Sequence, residues 1–134
     1  MVRQAWPDSA GDAAPSVSVP PDKAGWPRVE IIMSHAGASA SLVEGLLAHG
    51  LASRDPVRGI VVAGTGNGGL HEVLESALLR AQADGVRVVR ATRCTAGRVL
   101  AGANDSIPDS AGLSPVKARI ALMLRLMAAA GAGA

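Results

Sequence analysis

The sequence predicts an α/β domain of three layers, α/β/α, around a small parallel sheet. Three observations predict it. Short β-branched apolar runs alternate with segments whose apolar residues recur at helical spacing, as in Val29-Glu30-Ile31-Ile32-Met33 and Gly59-Ile60-Val61-Val62-Ala63. The second of these runs is apolar throughout, as a parallel strand covered on both faces must be. With 134 residues, 49% of them hydrophobic, the chain suits one compact domain. Its two Trp, with no Tyr and no Phe, leave a core of Val, Leu, Ile, Ala and Met.

The elements follow in order. Residues 1–27 hold five of the eight prolines among Ala, Ser, Gly and Asp, without period, and read as a flexible tail or linker. Trp26 stands just before the first strand, placed to pack on the domain edge. The first strand covers 29–33. Ser41-Leu42-Val43-Glu44 fits a capping box, which opens a helix carrying Leu42, Leu46 and Leu47 on one face and ending near Gly50. The second strand, 59–63, leads into Gly64-Thr65-Gly66-Asn67-Gly68-Gly69. A second helix runs from about His71 to Ala83, with Val73, Leu74, Ala77, Leu78 and Ala81 as its stripe and Gly85 as its stop. Residues 86–91 form the third strand and 95–113 a loop of Gly, Ala and Asp. Ser114 caps the last helix and Pro115 opens it, and Ala128 to Ala134 frays. Right-handed crossovers then give a parallel sheet over residues 28–128, with strand order 2-1-3 or a neighbouring permutation. The last helix carries Ile120, Leu122, Met123, Leu124, Leu126 and Met127, apolar on more than one side, and so wants a second surface to cover it.

Composition excludes several chemistries. Without tyrosine there is no phenolic acid, and without aromatic clusters there is no base-stacking platform. One cysteine, Cys94, allows no internal disulfide and no cysteine-based metal cluster. The net charge is +2, and its basic residues are scattered, which argues against nucleic acid as a partner. The densest cluster, Arg87, Arg90, Arg93 and Arg98, reads first as solvated strand ends and second as an anion site. Residues 1–11 carry no apolar run of the signal-peptide kind, and no stretch approaches the length of a membrane span, so a cytoplasmic chain without membrane contact is the expectation.

Candidate chemistry gathers at the glycine segment. Gly64, Gly66 and Gly69 fit G-x-G-x-x-G between a strand and a helix, the position of a dinucleotide fingerprint. The fingerprint also requires a carboxylate at the end of the next strand, where Arg90-Ala91-Thr92-Arg93 has none. A tight turn with close backbone packing is the plainer reading. His35 and His71 fall at the C-terminal rim of the sheet and His49 at a helix C-terminus; no third ligand is spaced to make a metal site with them. Cys94 has no base nearby in sequence, and Asp105 and Asp109 read as solvated loop residues.

Four blocks, in order, resemble the C-terminal domain of bacterial L-asparaginase, in the asparaginase/glutaminase family. Val29-Glu30-Ile31-Ile32-Met33-Ser34-His35-Ala36-Gly37-Ala38 is similar to the family's V-x-I-(V/I)-x-x-x-A-x-A block. Gly59-Ile60-Val61-Val62-Ala63-Gly64-Thr65-Gly66-Asn67-Gly68 is similar to G-I-V-x-A-G-x-G-N-G, the most specific of the four. Val88-Val89-Arg90-Ala91-Thr92-Arg93 resembles V-V-R-S-S-R, and Leu113-Ser114-Pro115-Val116-Lys117-Ala118-Arg119 resembles L-(N/S)-P-x-K-A-R.

The resemblance implies a Rossmann-like or flavodoxin-like domain of a two-domain amidohydrolase that converts L-asparagine and water to L-aspartate and ammonia. It implies no cofactor and no metal. In the family, threonines, a tyrosine, an aspartate and a lysine of the N-terminal domain do the chemistry, through an acyl-enzyme. This sequence has no T-G-G-T, no G-T-D-T and no tyrosine, so no catalytic residue is assigned to it and the chain alone is expected to be inert. It reads as a fragment or split half that partners an asparaginase N-terminal domain or another copy of itself. By resemblance, Thr65, Asn67, Gly68 and Gly69 contact substrate or a neighbouring active site; Gly69 stands where many members carry a second Asn. The alternatives are a stand-alone interaction or oligomerisation module of the same fold, and a nucleotide-binding domain using residues 64–69.

Overall fold

The computed structural model of the protein describes residues 19–22, 25–64, 70–92 and 107–132. Six elements follow in strict alternation: β1 (Arg28–Met33), α1 (Ala40–Ala52), β2 (Val57–Gly64), α2 (Glu72–Ala83), β3 (Arg87–Thr92) and α3 (Pro115–Ala132). All strand pairs are parallel. The domain is therefore of the expected class. The expected flexible tail lies largely outside the described residues, which omit 1–18 and 23–24.

Side-chain alternation divides the core in two. Ile32, Ile60, Val62 and Val88 face α1 and α2, together with Leu74, Ala77 and Leu78. Val29, Val61, Val89 and Ala91 face α3, against Ala118, Leu122 and Met123. Ile60, Val61 and Val62 are completely buried, as the central strand of a sheet covered on both faces requires.

The strand order is β1-β2-β3, a neighbouring permutation of the expected 2-1-3. Right-handed crossovers explain the difference. An order of 2-1-3 would reverse direction at β1 and put α1 and α2 on opposite faces. Here α1 and α2 share one face, tied to each other by an ion pair between Arg80 and Glu44 at 3.3 Å, so the chain steps across the sheet in one direction.

That ion pair also corrects the start of α1. The helix begins at Ala40 with Ser39 as its extended N-cap, and neither a Ser41 cap nor a capping box forms. Glu44 is drawn across to α2, and Ser41 Oγ instead shares a 2.7 Å hydrogen bond with Ser39 Oγ. The helix runs to Ala52, past Gly50, whose missing side chain lets the Asp55 carbonyl approach: a Cβ there would lie 3.0 Å from that oxygen.

Helix α2 ends as the sequence indicates. Gly85 has φ +95°, with Val86 N–H donating to Ala81 O and Gly85 N–H to Gln82 O, both at 3.0 Å, which is a complete Schellman motif. Ser114 caps α3 as expected, accepting from Lys117 N–H at 3.5 Å. That helix continues to Ala132, beyond the fraying point placed at 128.

The expected loop over 95–113 hides one more pairing. Arg90 N–H donates to Pro108 O at 2.8 Å and Ser110 N–H to Arg90 O at 2.9 Å, a parallel bridge that adds residues 107–110 to the outer side of β3. Ile107, 2% exposed, anchors this segment in the α1/α2 side of the core.

Candidate functional site

The C-terminal ends of the strands come together at one rim. Ser34, directly after β1, donates its N–H to Ala63 O at 2.8 Å and so prolongs the ladder along β2. Gly64 and Thr92 close β2 and β3 as a paired position. Gly64 is buried, and Ser34 and Thr92 are only 2% and 6% exposed.

Ser34 performs the main positioning task at this rim. Its Oγ accepts the backbone N–H of His71 at 3.0 Å, across 37 residues of sequence. His71 is the N-cap of α2 and makes no side-chain cap of its own. Ser34 thus satisfies a backbone donor near the start of α2, where intrahelical partners are lacking. The residues that flank the glycine segment are fixed: Gly64 at the buried end of β2, and His71 by the Ser34 bond. Sequence reasoning did not single out Ser34. Its only signal is a small polar residue directly after an apolar strand.

Thr65, Asn67, Gly68 and Gly69 lie outside the described residues, as do Cys94, Arg93, Arg98, Thr95 and Asp105. Thr92 is buried at the rim.

His35 and His71 do share the rim. His35 is exposed, and its Nδ1 accepts the Gly37 N–H at 3.1 Å. His71 Nδ1 is buried without a hydrogen-bond partner among the described residues. His49 lies in the last turn of α1, exposed. No three of the described His, Cys, Asp and Glu residues cluster closely enough to hold a metal ion.

Of the arginine cluster, Arg87 and Arg90 are among the described residues. Arg87 and Arg90 are three positions apart on β3 and so project from opposite faces of the strand. Asp109 is exposed, as a solvated loop residue should be, and its Oδ1 accepts the Ala111 N–H at 2.6 Å. No described helix is long and apolar enough to cross a membrane.

What the described residues show at the rim is a scaffold: a buried serine, a buried strand end and the start of α2. None of these described residues forms a nucleophile paired with a base. A family model describing the glutaminase/asparaginase C-terminal domain matches residues 28–132, from the first residue of β1 to the last of α3. The chain therefore belongs to the glutaminase/asparaginase family, as a C-terminal domain.

Proposed function

We propose that this domain serves an amidohydrolase that converts L-asparagine and water to L-aspartate and ammonia, supplying subunit contacts and completing an active site without a nucleophile of its own. The observation that carries the reading is the family match over residues 28–132. The anchored ends of the glycine segment support it. A connection that reaches another active site must hold its position to a fraction of an ångström, and Gly64 and the Ser34–His71 bond provide fixed ends. Thr65, Asn67, Gly68 and Gly69 are the residues proposed to touch substrate or the neighbouring site. Amide hydrolysis needs an activated nucleophile and oxyanion donors. The reading assigns these to the family's N-terminal domain.

Ammonia release from L-asparagine and L-glutamine tests this. The expected result is no turnover by the chain alone, and turnover above that of an N-terminal asparaginase domain when the two are mixed. Turnover by the chain alone that vanishes in Thr65→Ala would place the nucleophile in this domain and overturn the reading. A mixture no more active than the N-terminal domain would remove the proposed contribution to the site.

One observation favours a second reading, an interaction module without chemistry. Val116, Ile120 and Leu124 recur at every fourth position of α3 and are 63%, 52% and 37% exposed, an apolar stripe on the side that does not pack on the sheet. Both readings require a surface that covers this stripe.

A further inference from the structure

The opposite end of the sheet carries a pocket that the amidohydrolase reading does not use. It has a volume of about 340 Å³ and opens between the start of β1, the start of β2 and the last turns of α3. Trp26, Leu126, Met127 and Ala130 give it apolar walls, and Arg54 and Arg58 stand beside them. Its size falls at the lower end of the range for small-molecule sites.

Charge in the pocket is not balanced. Arg28 is engaged, by Glu30 at 2.9 Å and by Asp55 at 3.6 Å. Arg54 and Arg58 have no ion-pair or side-chain hydrogen-bond partner among the described residues. Two guanidinium groups are therefore available beside an indole whose Nε1–H is held by Pro20 O at 2.9 Å.

Both arginines sit on irregular backbone. Helix α1 ends in the same Schellman pattern as α2: Asp55 N–H donates to Gly50 O at 2.9 Å and Arg54 N–H to Leu51 O at 3.3 Å. The left-handed position of that motif is Gly85 in α2, but Arg54, with φ 59°, in α1. An arginine there is locally unfavourable where glycine is free of strain. Arg58 is the unpaired residue of a bulge: Arg28 pairs with Val57 and Val29 with Gly59, which leaves Arg58 between them. Bulges are rare in parallel pairs, and they re-aim a side chain. Two separate departures from the favoured backbone thus bring two cations to one indole-walled pocket.

The geometry points to a binding site for a small anion on a flat apolar body, such as an aryl phosphate or aryl carboxylate, with Arg54 and Arg58 holding the anion and Trp26 covering the ring. Arginine suits both tasks, since its planar fork pairs with phosphate or carboxylate oxygens. The site is independent of the glycine segment, which leaves the other end of β2.

Calorimetric titration of the full chain with phenyl phosphate, benzoate, inorganic phosphate and benzylamine tests the proposal. Phenyl phosphate is expected to bind saturably with a Kd near or below ~1 mM. Benzoate should bind more weakly, inorganic phosphate more weakly still, and benzylamine not at all. Arg58→Gln and Arg54→Gly should each weaken phenyl phosphate binding at least about fivefold, or roughly 1 kcal/mol. Arg54→Gly should at the same time raise the denaturation midpoint, because it restores glycine to the left-handed position. A loss of binding with a gain in stability separates a ligand role from a structural one. Absence of saturable phenyl phosphate binding, equal binding of benzylamine, unchanged affinity in both variants, or a lowered midpoint for Arg54→Gly would each overturn the proposal.

Discussion

Gly59→Ala is the sharpest test of how α3 is seated on the sheet. Gly59 lies in β2 on the α3 side, paired with Val29 and Arg87. A Cβ at this position would lie 2.8 Å from Leu122 Cδ2, 3.2 Å from Val29 Cγ2 and 3.3 Å from Leu122 Cγ. Only the first contact involves the far end of a flexible side chain. Leu122 is 5% exposed and packed with Val29, Val61 and Met123, so its methyl has no open space to enter. Arg119, one turn earlier, holds α3 down through a 2.8 Å bond from Nε to Val29 O. Overpacking of this kind costs about 1–3 kcal/mol. The reduced entropy of the unfolded chain returns about 0.4–1 kcal/mol, since Gly59 has no positive φ that alanine would resist. The expected net loss is about 1–2 kcal/mol, a drop in Tm of roughly 4–16 °C for a domain of this size.

Urea denaturation of the parent, Gly59→Ala, Leu122→Ala and the double variant measures it. Leu122→Ala alone should cost about 2–5 kcal/mol, leaving a hole beside Gly59. The new methyl of the double variant enters that hole, so the double variant should be more stable than the sum of the single losses, by about 1 kcal/mol. A Gly59→Ala variant as stable as the parent, or strict additivity in the cycle, would refute the view that α3 is clamped against a glycine.

Three further outcomes follow from single contacts. Ser34→Ala removes the acceptor of the His71 N–H and should cost about 1–3 kcal/mol by denaturation, with amide exchange at the start of α2 faster than elsewhere in that helix. Gly85→Ala places a Cβ in the left-handed Schellman position and should cost about 1 kcal/mol, although no neighbouring atom lies within 4 Å of it. Ile120→Lys, at an exposed position of the α3 stripe, should leave the denaturation midpoint within about 0.5 kcal/mol of the parent and reduce the proposed self-association in sedimentation.

Elements whose signal is local were legible in the sequence. The continuous run from Ile60 to Val62 announced a strand covered on both faces, Ser114-Pro115 announced the start of α3, and Gly85 announced the end of α2. Features decided by distant partners were not. Glu44 matched the capping-box pattern, but Arg80, on another helix, holds it. Residues 95–113 read as a loop, yet the backbone around Pro108 and Asp109 pairs with Arg90. The bulge at Arg58 is a register offset between two strands, and neither strand shows it alone. Ser34 drew no notice because its hydrogen bond spans 37 residues. The strand order could not be read for the same reason: the apolar runs specify which segments are strands, while the choice of face for each helix depends on how α1 and α2 pack together.

That choice of face bears directly on the glycine segment. In open α/β sheets, dinucleotides bind in the crevice where the strand order reverses and the flanking helices part to opposite faces. The segment here follows β2, whose neighbours β1 and β3 are reached by successive steps in the same direction, with α1 and α2 on one face. No such crevice opens beside β2 among the described strands. The fingerprint spacing of Gly64, Gly66 and Gly69 thus lacks the topology that makes it a pyrophosphate cradle, just as β3 lacks the ribose-binding carboxylate at its end. The α1 and α2 side of β2 is filled by Ile60, Val62, Leu74 and Leu78. A connection that follows the middle strand of an order stepping in one direction has packed helices on the α1/α2 face and, among the described strands, no reversal of strand order beside it to receive a dinucleotide.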